Sequence, residues 1–466
     1  MLRRPLSSIE AVQRRRLRGL VAHAKAHSPF YAERLRDIDP NHFELAELPT
    51  VTKTEMMQNF GQFLTDRQVQ LRDLEAFVSE PGNLGRWFHG KYVVTRTSGS
   101  QGLPAVIVQD RGVMDLLFAL EAGNCPVFPS SPLGVLQRVF HRTRLAAVTI
   151  GRGFYPSAVG LAYAPRVMRF FLDRQWLAKI YPFEEVVAEL NRFRPHVLLA
   201  YANVLEMLAR EELAGRLHLD AGGALRQVIN MSEPLSRGAR KLASTAFGVP
   251  ITNNYATGEF MILSLGCLKG HGMHLQAHWV IMEVVDRDNR PVPPGQPGEK
   301  VLLTNLYNWV QPFIRYEVGD VVTMSPNPCP CGSPMPLILK VEGRTDEVIW
   351  IREGDHFRCV HPYELVDGLD ECPAVGWYQV VQVERNRLEV RAVPAPERQL
   401  TAEDLKKALL DGLRPFGLAD LIQVDAQVVS DLAPDPKTGK LKRITSRIGR
   451  PSEVAGGATK TEQLPR

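Results

Sequence analysis

With 466 residues, 44% of them hydrophobic and 23% charged, the chain has an ordinary globular composition. That composition excludes a disordered or fibrous polymer, and the length, too great for one compact core, points to a large unit followed by a smaller one. The net charge of +5 draws on Arg3, Arg4, Arg14, Arg15, Arg16 and Arg18. These read as the solvated face of a helix and not as a nucleic-acid site, because no aromatic residues are interleaved to stack on bases.

No run reaches the ~18 apolar residues of a membrane span, and the opening lacks the apolar core of a signal peptide. The expectation is a cytoplasmic protein with neither a membrane nor a nucleic-acid partner. Six cysteines are too few for a disulfide scaffold and read as thiols or metal ligands.

Along the chain, Leu17, Leu20, Val21 and Ala24 recur at helical spacing before a break at Leu48-Pro49-Thr50. Tyr92-Val93-Val94 and Pro104-Ala105-Val106-Ile107-Val108 read as strands around a turn of small residues. Helical stretches at 113–122, 183–193 and 204–213 then alternate with short apolar runs such as Val197-Leu198-Leu199-Ala200, a layered α/β pattern. Residues 278–325 are strand-rich, broken by the Pro- and Gly-rich turn at 291–298. Beyond Glu342-Gly343-Arg344 a compact α+β unit is expected, with a strand at 348–351, a hairpin over 378–393 turning near Asn386, a helix at 402–413 and a strand at 421–429. The expected division is 1–340, then 341–450, then a polar tail at 451–466 without fixed structure.

Chemistry concentrates in a few segments. In Thr95-Arg96-Thr97-Ser98-Gly99-Ser100-Gln101-Gly102-Leu103-Pro104, hydroxyls and glycines between two strands let backbone N–H groups converge on an anion, although a plain polar hairpin turn has a similar composition. Upstream, Gly85 to Lys91 has Walker A spacing. Tyr92 stands where a magnesium-binding hydroxyl belongs, and Trp87 and Phe88 crowd the loop, so that motif is rejected. Four further strings follow in order: Ser232-Glu233-Pro234-Leu235, Asn254-Tyr255-Ala256-Thr257-Gly258-Glu259, Phe313-Ile314-Arg315-Tyr316-Glu317-Val318-Gly319-Asp320 and Gly343-Arg344-Thr345-Asp346.

With these motifs in this order, the chain resembles the adenylate-forming superfamily of acyl-CoA synthetases and adenylation domains from about residue 10 to 447. Within it, the phenylacetate-CoA ligase and coenzyme F390 synthetase-like proteins are the most similar. The resemblance implies a large α/β N-terminal adenylation domain of several subdomains with a small mobile α+β lid domain. It also implies activation of a carboxylic acid by ATP to an acyl-adenylate with pyrophosphate release. Transfer to a thiol would follow, with CoA as the acceptor and an aryl or arylacetic acid as the substrate.

Residue by residue, the resemblance implies that Thr97, Ser98, Gly99, Ser100 and Gly102 hold phosphates. Tyr255 and Ala256 would lie against adenine, with Ser232, Glu233 and Pro234 on its other side. Glu259 would bind Mg²⁺, Asp320 the ribose hydroxyls, and Arg315 and Arg344 would sit by the nucleotide. Lys440, in Pro436-Lys437-Thr438-Gly439-Lys440, would bridge the attacking carboxylate and the α-phosphate, with Lys437 and Lys442 as the local alternatives. Asp346 would mark the hinge about which the lid turns between half-reactions, and the acyl pocket would draw on 141–155, 201–203 and 256–258. A homodimer is left open.

Departures keep other readings open. Leu103 stands in place of the loop's usual lysine, Gln101 replaces a threonine, and Gly258 replaces a hydroxyl near the α-phosphate. These leave room for a homologue that binds nucleotide or acyl ligand without turnover. Glu353 interrupts the Arg-Gly pair expected along the CoA channel, which leaves a carrier-protein thiol or an amine as alternative acceptors. Separately, Cys267, His271, His274, Cys329 and Cys331 have the spacing of a four-ligand zinc site, with Cys267, His274, Cys329 and Cys331 the favoured set, against free thiols on a Pro-rich loop. Cys125, Cys359 and Cys372 read as small core residues.

Overall fold

The computed structural model describes residues 6–97, 105–125, 142–149, 153–163, 170–177, 182–219, 223–233, 235, 237–344, 348–360, 362–395, 398–432, 443–448 and 451. Two compact units divide the chain, Met1–Asp346 and Glu347–Arg466. The N-terminal helix α1 (Leu6–His27) buries Leu17, Leu20, Val21 and Ala24 and exposes Arg14, Arg15 and Arg18. Arg16 departs from the solvated-face expectation. Its guanidinium lies 3.3 Å over the Trp279 ring and donates to the His278 carbonyl, fastening the helix to the strand-rich part of the unit.

Ser28 caps α2 (Pro29–Arg34), and the Tyr31 hydroxyl reaches the Pro312 carbonyl at 3.0 Å. Past the break at Leu48, α3 (Lys53–Gln58) starts in a capping box: Thr52 Oγ1 accepts from the Glu55 N–H and the Glu55 carboxylate accepts from the Thr52 N–H. Two short helices follow, α4 (Phe60–Phe63) and α5 (Leu71–Ser79). The rejected Walker-like segment is a turn, with Phe88 bridged to Tyr92. It leads into β1 (Tyr92–Arg96), which pairs antiparallel with β2 (Val106–Asp110) before α6 (Gly112–Gly123).

A five-stranded parallel sheet comes next. In chain order its elements are β3 (Thr143–Val148), α7 (Pro156–Ala162), β4 (Leu172–Leu177), α8 (Phe183–Phe193), β5 (Val197–Ala200), α9 (Ala202–Leu213), β6 (Gln227–Asn230), α10 (Arg237–Phe247) and β7 (Ile251–Asn253). Strand order is β4-β3-β5-β6-β7. Leu190, Leu198, Val204, Leu208, Val228 and Phe247 form the core between sheet and helices. The continuous apolar run at β5 reflects burial on both faces.

The strand-rich part forms two antiparallel sheets. One pairs β10 (Val280–Val285), β11 (Lys300–Asn305) and β12 (Tyr316–Val318). The other has the order β13-β14-β9-β8, from β8 (Ser264–Gly266), β9 (Met273–Leu275), β13 (Asp320–Met324) and β14 (Leu337–Arg344). Strand β14 runs past the expected boundary at residue 340. Val341 pairs with Val322 and Arg344 with Asp320, and this pairing holds residues 341–344 in the first unit.

The second unit opens with a hairpin of β15 (Ile349–Glu353) and β16 (His356–Val360), then α11 (Pro362–Glu371). A sheet of order β19-β18-β17-β20 follows, from β17 (Val375–Glu384), β18 (Arg387–Pro394), β19 (Gln423–Val428) and β20 (Ile444–Ser446). Leu405, Leu409 and Leu413 of α12 (Ala402–Leu413) pack into its core. A Cβ on Gly368 of α11 would come within 2.1 Å of the Ala408 carbonyl oxygen, so glycine lets the two helices touch there. Residues 452–466, nearly all of the expected tail, lie outside the described residues.

Candidate nucleotide-binding and metal sites

In open α/β sheets, ligands gather outside the carboxyl ends of the strands. Here side chains tie the loops together at those ends. The Asn254 N–H donates to the Asn230 carbonyl at 2.9 Å, joining the ends of β6 and β7. Asn230 Nδ2 donates to the Glu233 carbonyl at 2.8 Å and to Asn253 Oδ1 at 2.6 Å. Glu233 Oε2 accepts from the Asn203 N–H at the start of α9. Ser232 sits in this turn with φ +65°, a left-handed conformation that such side-chain bonds hold in place.

The next segment carries the charged part of the site. Tyr255 pairs by its backbone with Ser264 and is buried, and its hydroxyl donates to Asp320 Oδ2 at 2.5 Å. Asp320 stands opposite Arg344 across β13 and β14. The Tyr316 hydroxyl on β12 donates to Glu259 Oε1 at 3.1 Å. Burial first, and then the Asp320 charge, pushes the Tyr255 phenol well above its ordinary range; burial and Glu259 do the same to Tyr316, with Arg344 opposing in both cases. Both phenols therefore stay protonated and donate to carboxylates that are themselves almost fully buried, at 6% exposure for Glu259 and 7% for Asp320. Such carboxylates offer hard oxygen atoms to a divalent cation or to sugar hydroxyls.

The ends of the phosphate-loop motif meet beside this cluster. The Thr97 N–H donates to the Ala105 carbonyl at 2.9 Å, and the Ala105 N–H to Thr97 Oγ1 at 2.8 Å. Thr95 Oγ1 donates to the Gly258 carbonyl at 3.0 Å. A Cβ on Gly258 would stand 2.5 Å from the Thr97 methyl group, so the space where a hydroxyl side chain was expected is filled from the neighbouring strand end. Lys53 Nζ donates to Thr97 Oγ1 at 3.1 Å. Ala256 is exposed next to Tyr255. Ser98, Gly99, Ser100, Gly102, Pro234, Asp346 and Lys440 lie outside the described residues.

Arg315 stands in a different setting. Its guanidinium grips Glu283 with two bonds of 3.0 Å and donates to the carbonyls of Ala46 and Leu48. With its backbone at φ +47° it turns to the N-terminal segment and β10, while the adjacent Tyr316 turns to Glu259. Burial pushes the Glu283 carboxyl up and the Arg315 charge pulls it back, as in an enclosed fork-to-fork pair. The structure thus gives Arg315 a bracing position between the N-terminal segment and β10.

Sequence reasoning also missed Lys53, Tyr316 and Glu121. Glu121 sits on the apolar helix α6, where Asn254 Nδ2 donates to its Oε1 at 3.0 Å and burial pushes the carboxyl up to about 7. An acid that follows the apolar run Leu116-Leu117-Phe118-Ala119-Leu120 is the signal that could have singled it out.

A second constellation brings Cys267, His274, Cys329 and Cys331 together, with all four ligand atoms within 4.8 Å of one another. Cys267 Sγ and Cys329 Sγ are 3.8 Å apart, and Cys331 Sγ and His274 Nε2 are 3.4 Å apart. Tetrahedral zinc with bonds of about 2.3 Å to sulfur would separate two thiolates by about 3.8 Å, so the donor set fits that ion. Burial opposes the Cys267 thiolate, but the N–H groups of His271 and Lys269 and the neighbouring thiols hold it below its ordinary value; burial, with the Cys331 and Cys267 sulfurs, pushes Cys329 up to about 12 against the Cys331 N–H. His271 is not part of the set. Cys125, Cys359 and Cys372 are half-buried, and Cys125 and Cys372 lie at the margins of apolar clusters.

No family model matches the chain. A phenylacetate-coenzyme A ligase from Thermus thermophilus is 26% identical over 392 residues, 81% of this chain and 79% of that protein. Among solved structures, 2-hydroxyisobutyryl-CoA ligase in its post-adenylation state with a bound acyl-AMP superposes with a TM-score of 0.72 at 19% identity, covering 96% of this chain and 91% of the other. An amide bond synthetase from Marinactinospora thermotolerans gives a TM-score of 0.53 at 18% identity, over 75% of this chain and 67% of the other. Over most of its length the chain is a homologue of phenylacetate-coenzyme A ligase, and its mixed α/β architecture, with a parallel sheet, is the fold of the adenylate-forming enzymes.

Proposed function

We propose that this protein uses ATP to activate a carboxylic acid as its acyl-adenylate and then passes the acyl group to the thiol of CoA. The observation that carries the reading is the pairing of two buried carboxylates with two phenols, Tyr255 with Asp320 and Tyr316 with Glu259, beside the closed base of the phosphate-loop motif. In this reading Tyr255 lies against adenine, Asp320 accepts the ribose hydroxyls and Glu259 holds Mg²⁺. A magnesium ion bound there would offset phosphate charge and orient the α-phosphorus. The substrate carboxylate oxygen bonds to the α-phosphorus, and the bond to the bridging oxygen breaks to release pyrophosphate. The CoA thiolate then bonds to the acyl carbon, and AMP leaves.

Lys440 is the cation assigned to the first step and Asp346 the hinge of the lid, both on their place in the motif order. The similarity to a phenylacetate-coenzyme A ligase favours an aryl or arylacetic acid. An amine or a carrier-protein thiol is the second reading for the acceptor. It is favoured by exposed Glu353 at the tip of the β15–β16 hairpin and by the likeness to an amide bond synthetase. We further assign a structural zinc ion to Cys267, His274, Cys329 and Cys331, where four protein ligands leave no open position for chemistry. We read the six cysteines, none of them joined in a disulfide, as fitting a reducing, cytoplasmic location.

The test is acid-dependent exchange of pyrophosphate into ATP across a panel of aryl and aliphatic acids. Exchange with one class of acid, reduced by at least about 10²-fold in Lys440→Ala, is expected; this corresponds to about 2.7 kcal/mol of barrier. Nucleotide binding without exchange for any acid would favour the non-catalytic homologue.

A further inference from the structure

Past Arg96 the phosphate-loop motif carries no cation: from Thr97 to Asp110 the sequence holds neither Lys nor Arg. Backbone N–H groups and hydroxyls can cradle a polyphosphate, but the charge of a triphosphate also calls for compact positive groups. The cations on either side point elsewhere. Arg111 lies over the Trp87 ring, 4.7 Å from its centroid. Arg96 is exposed at the end of β1, one residue out of phase with buried Thr95, and so lies on the other face of the strand.

Lys53 arrives from a distant part of the chain. Its Nζ donates to Thr97 Oγ1 at 3.1 Å, and the same oxygen accepts the Ala105 N–H, so the ammonium stands where the two ends of the loop meet. Its position is well determined. The capping box of α3 fixes the backbone, and Arg34 holds Glu55 of that box at 3.0 Å. Val51 runs parallel to Tyr316: its N–H donates to the Arg315 carbonyl at 3.1 Å, and the Glu317 N–H donates to its carbonyl at 2.8 Å. Tyr316 in turn holds Glu259, so one framework sets the lysine, the loop and the candidate Mg²⁺ ligand. The Thr97 methyl group packs where Gly258 has no side chain, and its hydroxyl faces Lys53 and the Ala105 N–H.

We infer that Lys53 supplies, from the first turn of α3, the positive charge for the β- and γ-phosphates of ATP that the loop itself lacks. This assignment rests on the ATP-dependent reading above. It links two departures from the expected pattern, Leu103 in place of lysine and Gly258 in place of a hydroxyl residue. The cation comes from a different element, and the glycine admits the threonine that seats it.

The experiment is calorimetric titration of the full-length protein with MgATP and, separately, with AMP. Wild type is compared with Lys53→Gln and Lys53→Arg, each first checked for an unchanged thermal transition. AMP has no β- or γ-phosphate. Lys53→Gln is therefore expected to weaken MgATP binding by at least about 10-fold while AMP changes by less than about 2-fold, and Lys53→Arg to retain most of the MgATP affinity. Glutamine keeps a donor for Thr97 Oγ1, so a lysine that only braces the loop would leave MgATP binding unchanged in Lys53→Gln. That result overturns the assignment, as does an equal loss for both nucleotides. A wild type that binds neither nucleotide brings down the ATP reading and the assignment with it, whereas a wild type and Lys53→Gln that bind MgATP equally sink only the role of Lys53.

Discussion

Glu121 shows how one half-buried acid can shape the pH response of this fold. Its carboxyl is pushed from an ordinary 4.5 up to about 7 by burial, against the hydrogen bond from Asn254. Below about pH 4.5 the group is protonated in both folded and unfolded chains. Between there and pH 7 the folded chain keeps a proton that the unfolded chain releases, so this contribution to stability is lost as pH rises through 7. The loss is on the order of 3 kcal/mol. Urea unfolding at a series of pH values should show wild type losing stability relative to Glu121→Gln across that window; parallel curves would remove the effect.

Other single residues differ in how far the sequence announces them. Tyr255, Glu259 and Asp320 were legible because each sits in a short ordered string. Lys53 was not, because its contact with Thr97 spans 44 positions and no local pattern marks it. Arg315 was read by its neighbours in the motif, and its pairing with Glu283, which lies in a different strand, left no local signal.

At the scale of elements, the sheet of order β13-β14-β9-β8 needs help to hold together. Strands β8 and β9 have three residues each, too few to be stable by pairing alone. The four-ligand cluster lies at this sheet: His274 is in β9, Cys267 directly follows β8, and Cys329 and Cys331 lie between β13 and β14. A metal there would link three segments of chain. Elemental analysis of protein prepared without chelator is expected to give about one zinc per chain. Cys329→Ser should lose the metal and melt several degrees lower, and His271→Ala should keep it. Full metal content in Cys329→Ser would contradict the assignment.

Strong periodicity made the longer elements readable, as at Phe183–Phe193 and Ala402–Leu413, where apolar residues mark one face and, in the latter, Thr401 caps the start. The three-residue strands and α4 were unreadable. Their residues are held by partners across the unit and not by propensity of their own.

At the scale of the whole molecule, the unit Glu347–Arg466 has its own four-stranded sheet and its own apolar core, from Ile349 to Ile444. Made alone, it should give a cooperative thermal transition by circular dichroism; a gradual, featureless melt would show that it depends on the rest of the chain. The sequence marked the change of pattern near residue 340 but missed that β14 continues to Arg344, because the pairing with β13 that extends it is not a local signal.

The first unit is built in the opposite way. Arg16 is fastened at His278, Tyr31 at Pro312, Val51 at Arg315 and Tyr316, and Lys53 at Thr97. Most of the partners of the opening helices are therefore synthesised last within the unit. Leu17, Leu20 and Val21 belong to a core that also draws on residues as late as Ile338, so their covering is complete only when the strand-rich part has been made. A chain released before those partners exist would expose this apolar helix face, so truncation within the first unit is expected to lower soluble yield more than truncation after residue 346, as measured by expression of nested fragments.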